Sequence, residues 1–566
     1  MILISQVATS PQRNRPYEPS GAMNSKRTRL TICVVLAAIV ATTSAVGAAP
    51  PKLQHLFPPG GKRGESVAVT ATGTFDKWPT QIWVNRAGVE VVAEKDKGKF
   101  KVTIAADAEP GVYWLRAFHA DGASSVRPFI VGMLDELVET EPNEALEQGQ
   151  AISGATIVNG RLGKSGDVDT FQLDLKGGQT LVAALDASRT LGSPMDAVLQ
   201  VCDDRGFVIE QNDDARGTDP MIALKIPRDG RYFVRLFAFP ATPNSTIGFA
   251  GSKNYVYRLT LTTEGFVDHA FPMAVPRNGS HDVTLFGWNL ANDAKPLVIA
   301  PHESARAVSL FSPSVANAIM VPVVEHQCIV ATRESGPKQP QAIQLPAVIS
   351  GQVEENRDVD AFRFSAAKGD KLVFRVESDS LGYLLDPLLT LVDATGKVVT
   401  EVDDTSKRRD CELVTTIPAD GEYDLQIRDL HRHGGFRYVY RLTATKSEPD
   451  FQLTLAQETF VLTPGKPLTI EIAVSRLRGF KEAIQITAVN LPAGVSVKPV
   501  NSEAKGDSSK KVKLELEATD GPVAGAFRIS GTAANDGGQQ RFARFSPAGS
   551  QDSLDQPWLT VMAKAK

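Results

Sequence analysis

Two stretches of this 566-residue chain carry the same short motifs in the same order, and that repeat constrains the fold more than any other feature. Val158-Asn-Gly-Arg-Leu162 returns as Ile349-Ser-Gly-Gln-Val353, and Gly166-Asp-Val-Asp-Thr-Phe171 returns as Arg357-Asp-Val-Asp-Ala-Phe362. Met195-Asp-Ala-Val-Leu199 matches Leu385-Asp-Pro-Leu-Leu389, and the pair Asp213-Asp214 matches Asp403-Asp404. Asp229-Gly-Arg-Tyr232 and Tyr255-Val-Tyr-Arg-Leu259 then match Asp420-Gly-Glu-Tyr423 and Tyr438-Val-Tyr-Arg-Leu442. The offset stays at 190 or 191 positions until the last loop, which is shorter in the second copy. Order and spacing held this long make each copy a folding unit rather than a scatter of motifs.

Each copy reads as an antiparallel β-sandwich. Phe171-Gln-Leu-Asp-Leu175 alternates apolar and polar residues with period two, as a half-buried strand requires. Lys176-Gly-Gly178, Asp203-Asp-Arg-Gly206 and Arg228-Asp-Gly230 punctuate such runs as turns. No helix-period stretch intervenes, and 45 Gly with 35 Pro suit a turn-rich chain. The fold class expected is all-β: tandem β-sandwiches, jelly-roll-like units alternating with Ig-like ones.

These motifs resemble the bacterial pre-peptidase C-terminal domain, over about 136–262 and 338–446. The resemblance rests on a Gly-x-(Ile/Leu/Val) strand, an Asp-x-Asp-x-Phe strand, an Asp-Pro-x-Leu strand, an Asp-Asp turn and a closing Gly-x-Tyr strand, in that order. It implies a small jelly-roll-like sandwich, in that family an appendage of secreted peptidases and related to clostridial collagen-binding domains. The flanks repeat more loosely: Leu56-Phe-Pro58 precedes copy one and Ala270-Phe-Pro272 precedes copy two. The expected organisation is 1–49 upstream extension plus signal peptide, 50–135 Ig-like of the IPT/TIG type, 136–265 first sandwich, 266–337 degenerate Ig-like, 338–449 second sandwich, and 450–566 C-terminal Ig-like. Its polar stretch Ser546–Asp555 is expected to be loose. Small modules in series are expected to give reach.

The first residues read as an address. After Met23 a basic segment, an apolar run from Leu30 to Val40 and small residues from Ser44 to Ala49 follow the secretory pattern. That run is too short to span a bilayer, which needs about 20 residues. The chain has 61 Lys+Arg against 65 Asp+Glu, a net charge of -4. Removing 1–49 takes away five basic residues (Arg13, Arg15, Lys26, Arg27, Arg29) and one acidic (Glu18), leaving -8. Such a balance makes no case for nucleic acid. The implied location is secreted, periplasmic or cell-surface, with no transmembrane span in the mature chain.

Catalytic patterns fail one by one. Cys202, Cys328 and Cys411 are an odd set without a nucleophile signature, and pack best as small apolar groups. His302-Glu303 begins a zincin motif, but Arg306 stands where its second His belongs. His431-Arg-His433 falls in a Gly-rich loop and reads as solvated rather than as a metal clip. There is no Gly-x-Ser-x-Gly elbow and no phosphate loop. Trp78, Trp83, Trp114 and Trp288, and tyrosines such as Tyr257 and Tyr440, read as core rather than as a ligand-stacking face.

The strongest chemical candidate is acidic. Glu139-Thr-Glu-Pro-Asn-Glu144 sets oxygen-bearing side chains at alternate positions just before Asp167 and Asp169. Calcium takes six to eight hard oxygen ligands, and this set is apt for it; the competing reading is a solvated acidic linker beside an Asp turn. The resemblance implies that Glu139, Glu141, Asn143, Glu144, Asp167 and Asp169 hold calcium and lock the linker as an extra strand. Copy two keeps Asp358 and Asp360 but has Glu334-Ser-Gly-Pro-Lys338 as linker, so calcium is not expected there. The function expected is a non-catalytic, secreted binding or adhesion protein whose partner is an extracellular protein or a polysaccharide. The alternatives are a peptidase-associated protein and a carbohydrate-binding one.

Overall fold

Lys511–Ala518, Lys-Val-Lys-Leu-Glu-Leu-Glu-Ala, buries every second side chain without exception, the pattern a strand with one wet face must have. The same alternation recurs in strands such as Lys99–Ile104 and Leu468–Leu477, and the described residues form a nearly all-β fold. A computed structural model describes residues 49–564, apart from 243–247, 279–281, 293–295, 299–305, 405–408, 535–537 and 551. The expectations placed on the leader with Met23, and on His302-Glu303, lie outside the described residues. No helix among the described residues is long and apolar enough to cross a membrane.

The first sandwich packs two five-stranded sheets face to face. One runs Asp135–Val138, Thr156–Arg161, Val256–Thr262, Thr180–Asp186, Met221–Lys225; the other runs Gln150–Ala151, Asp169–Leu175, Gly230–Pro240, Met195–Cys202, Val208–Asn212. Phe171, Leu199, Val234, Leu236, Tyr257 and Leu259 fill the space between them. The second sandwich has the same order in both sheets. Gln327–Val330, Ala347–Gln352, Val439–Lys446, Lys371–Glu377 and Cys411–Thr416 form one, and Gln341–Ala342, Asp360–Ala366, Gly421–Asp429, Pro387–Asp393 and Val398–Val402 the other. In both, the entering segment docks as a parallel edge strand: Asp135–Val138 on Thr156–Asn159, and Gln327–Val330 on Ala347–Ser350.

The other sheets lie before, between and after these two sandwiches, and they fold back on one another instead of extending in series. Arg116, on the strand Gly111–His119, is fully buried; its Nη2 donates to Glu458 Oε2 at 2.9 Å and its Nη1 to Ser124 O at 2.7 Å. The Val126 N–H also donates to Glu458. Trp558 packs edge-on to Trp83 at 5.9 Å and tilted on Phe118 at 4.6 Å, and Trp114 joins the same core as Leu462, Leu516 and Leu559. Arg437 is a second clasp: its guanidinium donates to Asp268 Oδ1, Ala215 O and Gly382 O, joining three parts of the chain far apart in sequence. Arg189 of the first sandwich donates to Ser380 O of the second at 2.9 Å. The expectation of reach is therefore corrected, because buried charge and aromatic packing hold the pieces together.

The polar tail is corrected as well. Phe545 and Leu554 exchange backbone hydrogen bonds at 2.9 Å, Arg544 reaches Ser553, and Asp555 pairs with Arg528 at 3.4 Å and with Arg306 at 3.6 Å. Charge pairing orders a segment that has little apolar surface to bury. Cys202 and Cys411 are buried and Cys328 half-buried, and all three are free thiols.

Candidate metal centre

The strand Asp135–Val138 delivers the acidic linker to one end of the first sandwich, where the Glu139 N–H donates to Asn159 O at 3.0 Å. Glu139 Oε1 accepts from the Arg161 N–H at 2.7 Å, and its Oε2 meets the Tyr257 hydroxyl at 2.9 Å. That hydroxyl also meets Asp169 Oδ2 at 2.6 Å. One phenolic proton serves two carboxyls here, so a second proton or a cation must settle the remaining charge. Burial pushes Glu139 up to about 7, and burial followed by the adjacent Glu139 carboxyl pushes Asp169 up to about 10.

Asp167 lies on the turn entering the strand Asp169–Leu175, and its Oδ2 accepts from the Gly163 N–H at 2.5 Å. Oxygens of Glu141, Asp167 and Asp169 come within 4.8 Å of one another. Two of their own oxygens, Asp167 Oδ1 and Asp169 Oδ1, are buried without a hydrogen-bond partner, as are Oδ1 and Nδ2 of Asn143, a residue fully out of solvent whose N–H donates to Glu141 Oε2 at 3.2 Å. An unpaired buried polar atom costs about 1–3 kcal/mol, so the three oxygens among these atoms need an explanation. Hard oxygen donors with nothing to bond fit a cation such as Ca²⁺. The Lys164 ammonium lies 3.9 Å from Asp167 Oδ1, and a bound cation would add to it the positive charge that the buried Asp169 and Glu139 carboxyls lack.

The structure brings together Glu141, Asp167 and Asp169, joins Glu139 to Asp169 through the Tyr257 hydroxyl and Asn143 to Glu141 through its N–H, and links Glu144 to Asp167 through the Lys164 ammonium, 3.9 Å from Asp167 Oδ1. Glu144 is only partly buried and pairs with Lys164 at 2.6 Å, so its carboxylate is already neutralised on the surface. Tyr257 is the residue that sequence reasoning placed only in the core. Its signal was the repeat itself: Tyr440 stands at the matching place and donates to Asp360 Oδ2. His431 and His433 stay in their exposed loop, with their N–H groups donating to Asp429 Oδ1 at 2.9 Å and the His431 ring 3.7 Å from Asp386.

Residues 167–238 match the sequence profile of the bacterial pre-peptidase C-terminal domain. A probable subtilase-type serine protease of Deinococcus radiodurans is 34% identical over 98 residues. The match takes in 17% of this chain and 14% of that protein. Among solved structures, the four immunoglobulin domains of Sidekick-1 align over 91% of this chain and 97% of theirs, at 10% identity and a TM-score of 0.20. PliG of Aeromonas hydrophila, a periplasmic inhibitor of g-type lysozyme, aligns over 21% and 98% at 10% identity, with a TM-score of 0.16. Scores this low carry no functional argument.

Proposed function

We propose that this is a secreted, non-catalytic binding protein of the periplasm or cell surface, with its first sandwich stiffened by calcium. The observation that carries the calcium is the set of buried oxygens without a hydrogen bond on Asn143, Asp167 and Asp169, with Glu141 within 4.8 Å of the two aspartates and Glu139 joined to Asp169 through Tyr257. Glu139 and Asn143 belong to the linker and Asp167 and Asp169 to the sandwich, so a shared cation fixes one to the other. The modules proposed remain 50–135, 136–265, 266–337, 338–449 and 450–566 after a leader of 1–49, with the second sandwich a further pre-peptidase C-terminal domain between Ig-like ones. The ligand class proposed is an extracellular protein or polysaccharide.

The test uses the full chain. Calorimetry in CaCl₂ against EDTA should show a higher unfolding midpoint with calcium, and Asp167→Asn or Glu141→Gln should abolish the difference; an unchanged midpoint in the parent protein removes the calcium. Incubation with casein and gelatin should leave both intact, and reproducible cleavage would overturn the non-catalytic reading. Retention on immobilised collagen or on insoluble polysaccharides then separates the two ligand classes. The protease relative favours a second reading, an accessory to a secreted peptidase, which co-purification with a peptidase would support.

A further inference from the structure

The second sandwich answers the same electrostatic problem with different residues. Matching hydrogen bonds fix the correspondence. Ala331 N–H donates to Ser350 O as Glu139 N–H does to Asn159 O, and the Thr332 N–H takes Gln341 Oε1 as the Thr140 N–H takes Gln150 Oε1. Counting along the linker, Ala331 replaces Glu139, Arg333 replaces Glu141 and Ser335 replaces Asn143. On the other side, the Glu354 N–H donates to Asp358 Oδ2 as the Gly163 N–H does to Asp167 Oδ2. A glycine in copy one has become a glutamate in copy two.

The outcome is three carboxyls, Glu354, Asp358 and Asp360, with oxygens within 4.8 Å of one another. Asp360 is 2% exposed, yet both of its oxygens are occupied, Oδ1 by the Ser335 hydroxyl at 3.3 Å and Oδ2 by the Tyr440 hydroxyl. Asp358 accepts from the Glu354 and Val359 N–H groups at 3.0 and 2.8 Å. In contrast with copy one, no buried atom of Ser335, Glu354, Asp358 or Asp360 lacks a partner. The charged groups facing the cluster are Arg333 from the linker, the three acids themselves, and the Tyr440 phenol from the strand Val439–Lys446. Three carboxylates cannot all ionise at this separation with one guanidinium to balance them.

We propose that the second sandwich is closed by a proton shared among Glu354, Asp358 and Asp360, in the place where the first is closed by a cation, which makes copy two a metal-independent, acid-favoured counterpart. The inference rests on the calcium reading only for its contrast between copies. Burial, and then the hydrogen bond to Asp358, raises Glu354 to about 7 from 4.5; burial also holds Asp360 well above the carboxylate range. A carboxyl raised in the folded state keeps its proton after the unfolded chain has lost it. The Glu354 contribution to stability is therefore full below pH 4.5 and is lost as pH rises through about 7.

The experiment is hydrogen exchange by mass spectrometry on the full chain, corrected for the intrinsic pH dependence of exchange. In EDTA, raising the pH from about 5 to about 7 should increase opening of the peptides spanning 347–366 by up to about tenfold per unit. Glu354→Gln should reduce that change to under about twofold, and calcium should leave these peptides unchanged. With calcium saturating, the infrared band of protonated carboxyl should weaken in Glu354→Gln. Protection of 347–366 by calcium, or the same pH response in parent and Glu354→Gln, overturns the proposal. Failure of calcium to protect 135–175 removes the calcium reading and leaves the proton test standing.

Discussion

Replacing Glu458 with Ala should loosen the whole molecule, although Glu458 touches neither acidic cluster. Its partner Arg116 is fully out of solvent, with one further acceptor, Ser124 O, and an Nε that has no partner. Burial lowers the Arg116 guanidinium to about 10, with Glu458 opposing the shift, so the charge is held at a cost. Removing one partner of a buried pair costs about 3–5 kcal/mol. Glu458 is 13% exposed, so water can enter the vacated space and the lower end applies. Losing the acceptor of the Val126 N–H adds about 1 kcal/mol, for a total of about 4 kcal/mol. Urea unfolding followed by intrinsic fluorescence is the natural assay, because Trp83, Trp114 and Trp558, three of five tryptophans, lie at this contact. Arg116→Met with Glu458→Leu should return to near the parent midpoint, since an apolar pair needs no desolvation of charge. A loss under about 1 kcal/mol in Glu458→Ala, with the fluorescence transition unmoved, refutes the reasoning.

Three further outcomes follow. Tyr257→Phe in EDTA should cost about 1–3 kcal/mol, because Glu139 and Asp169 lose their one shared donor, and denaturation that matches the parent would contradict this. Asp219 accepts from the Ala187, Ser188 and Arg189 N–H groups, yet burial raises it from 3.8 to about 6. The folded state therefore holds this proton longer, and stability drops between those values and not above them; the parent-minus-Asp219→Asn difference in midpoint should change across that window and stay flat at higher pH. Arg437→Ala should cost about 3–5 kcal/mol by leaving the fully buried Asp268 carboxylate without its guanidinium, measured by chemical denaturation. A neutral result there would mean that the clasp does not hold the pieces together.

The period-two pattern and the spaced motifs made the sandwich architecture legible, since a strand's faces follow directly from the residues on it. Asp167 and Asp169 were legible for the same reason: they recur in order beside a linker that is rich in oxygen donors. Tyr257 was read as core, and it is buried, but a phenol's polar end is invisible to a pattern that scores only inside against outside. Glu354 was missed because one glutamate in place of a glycine looks like surface variation until a hydrogen bond shows where its backbone sits. The folding back of the modules left no trace, because Arg116 and Glu458 are 342 positions apart and neither lies in a repeated motif.

That separation also sets a clock. At about 5–20 residues per second, the ribosome takes on the order of 20–70 s to add the stretch from Arg116 to Glu458. Trp83, Trp114 and Phe118 wait through this interval with one side uncovered, since Glu458 and Trp558 arrive late. A part of the chain made well before its partners is thus among the last to finish, and until then it presents an aromatic surface to any other copy nearby.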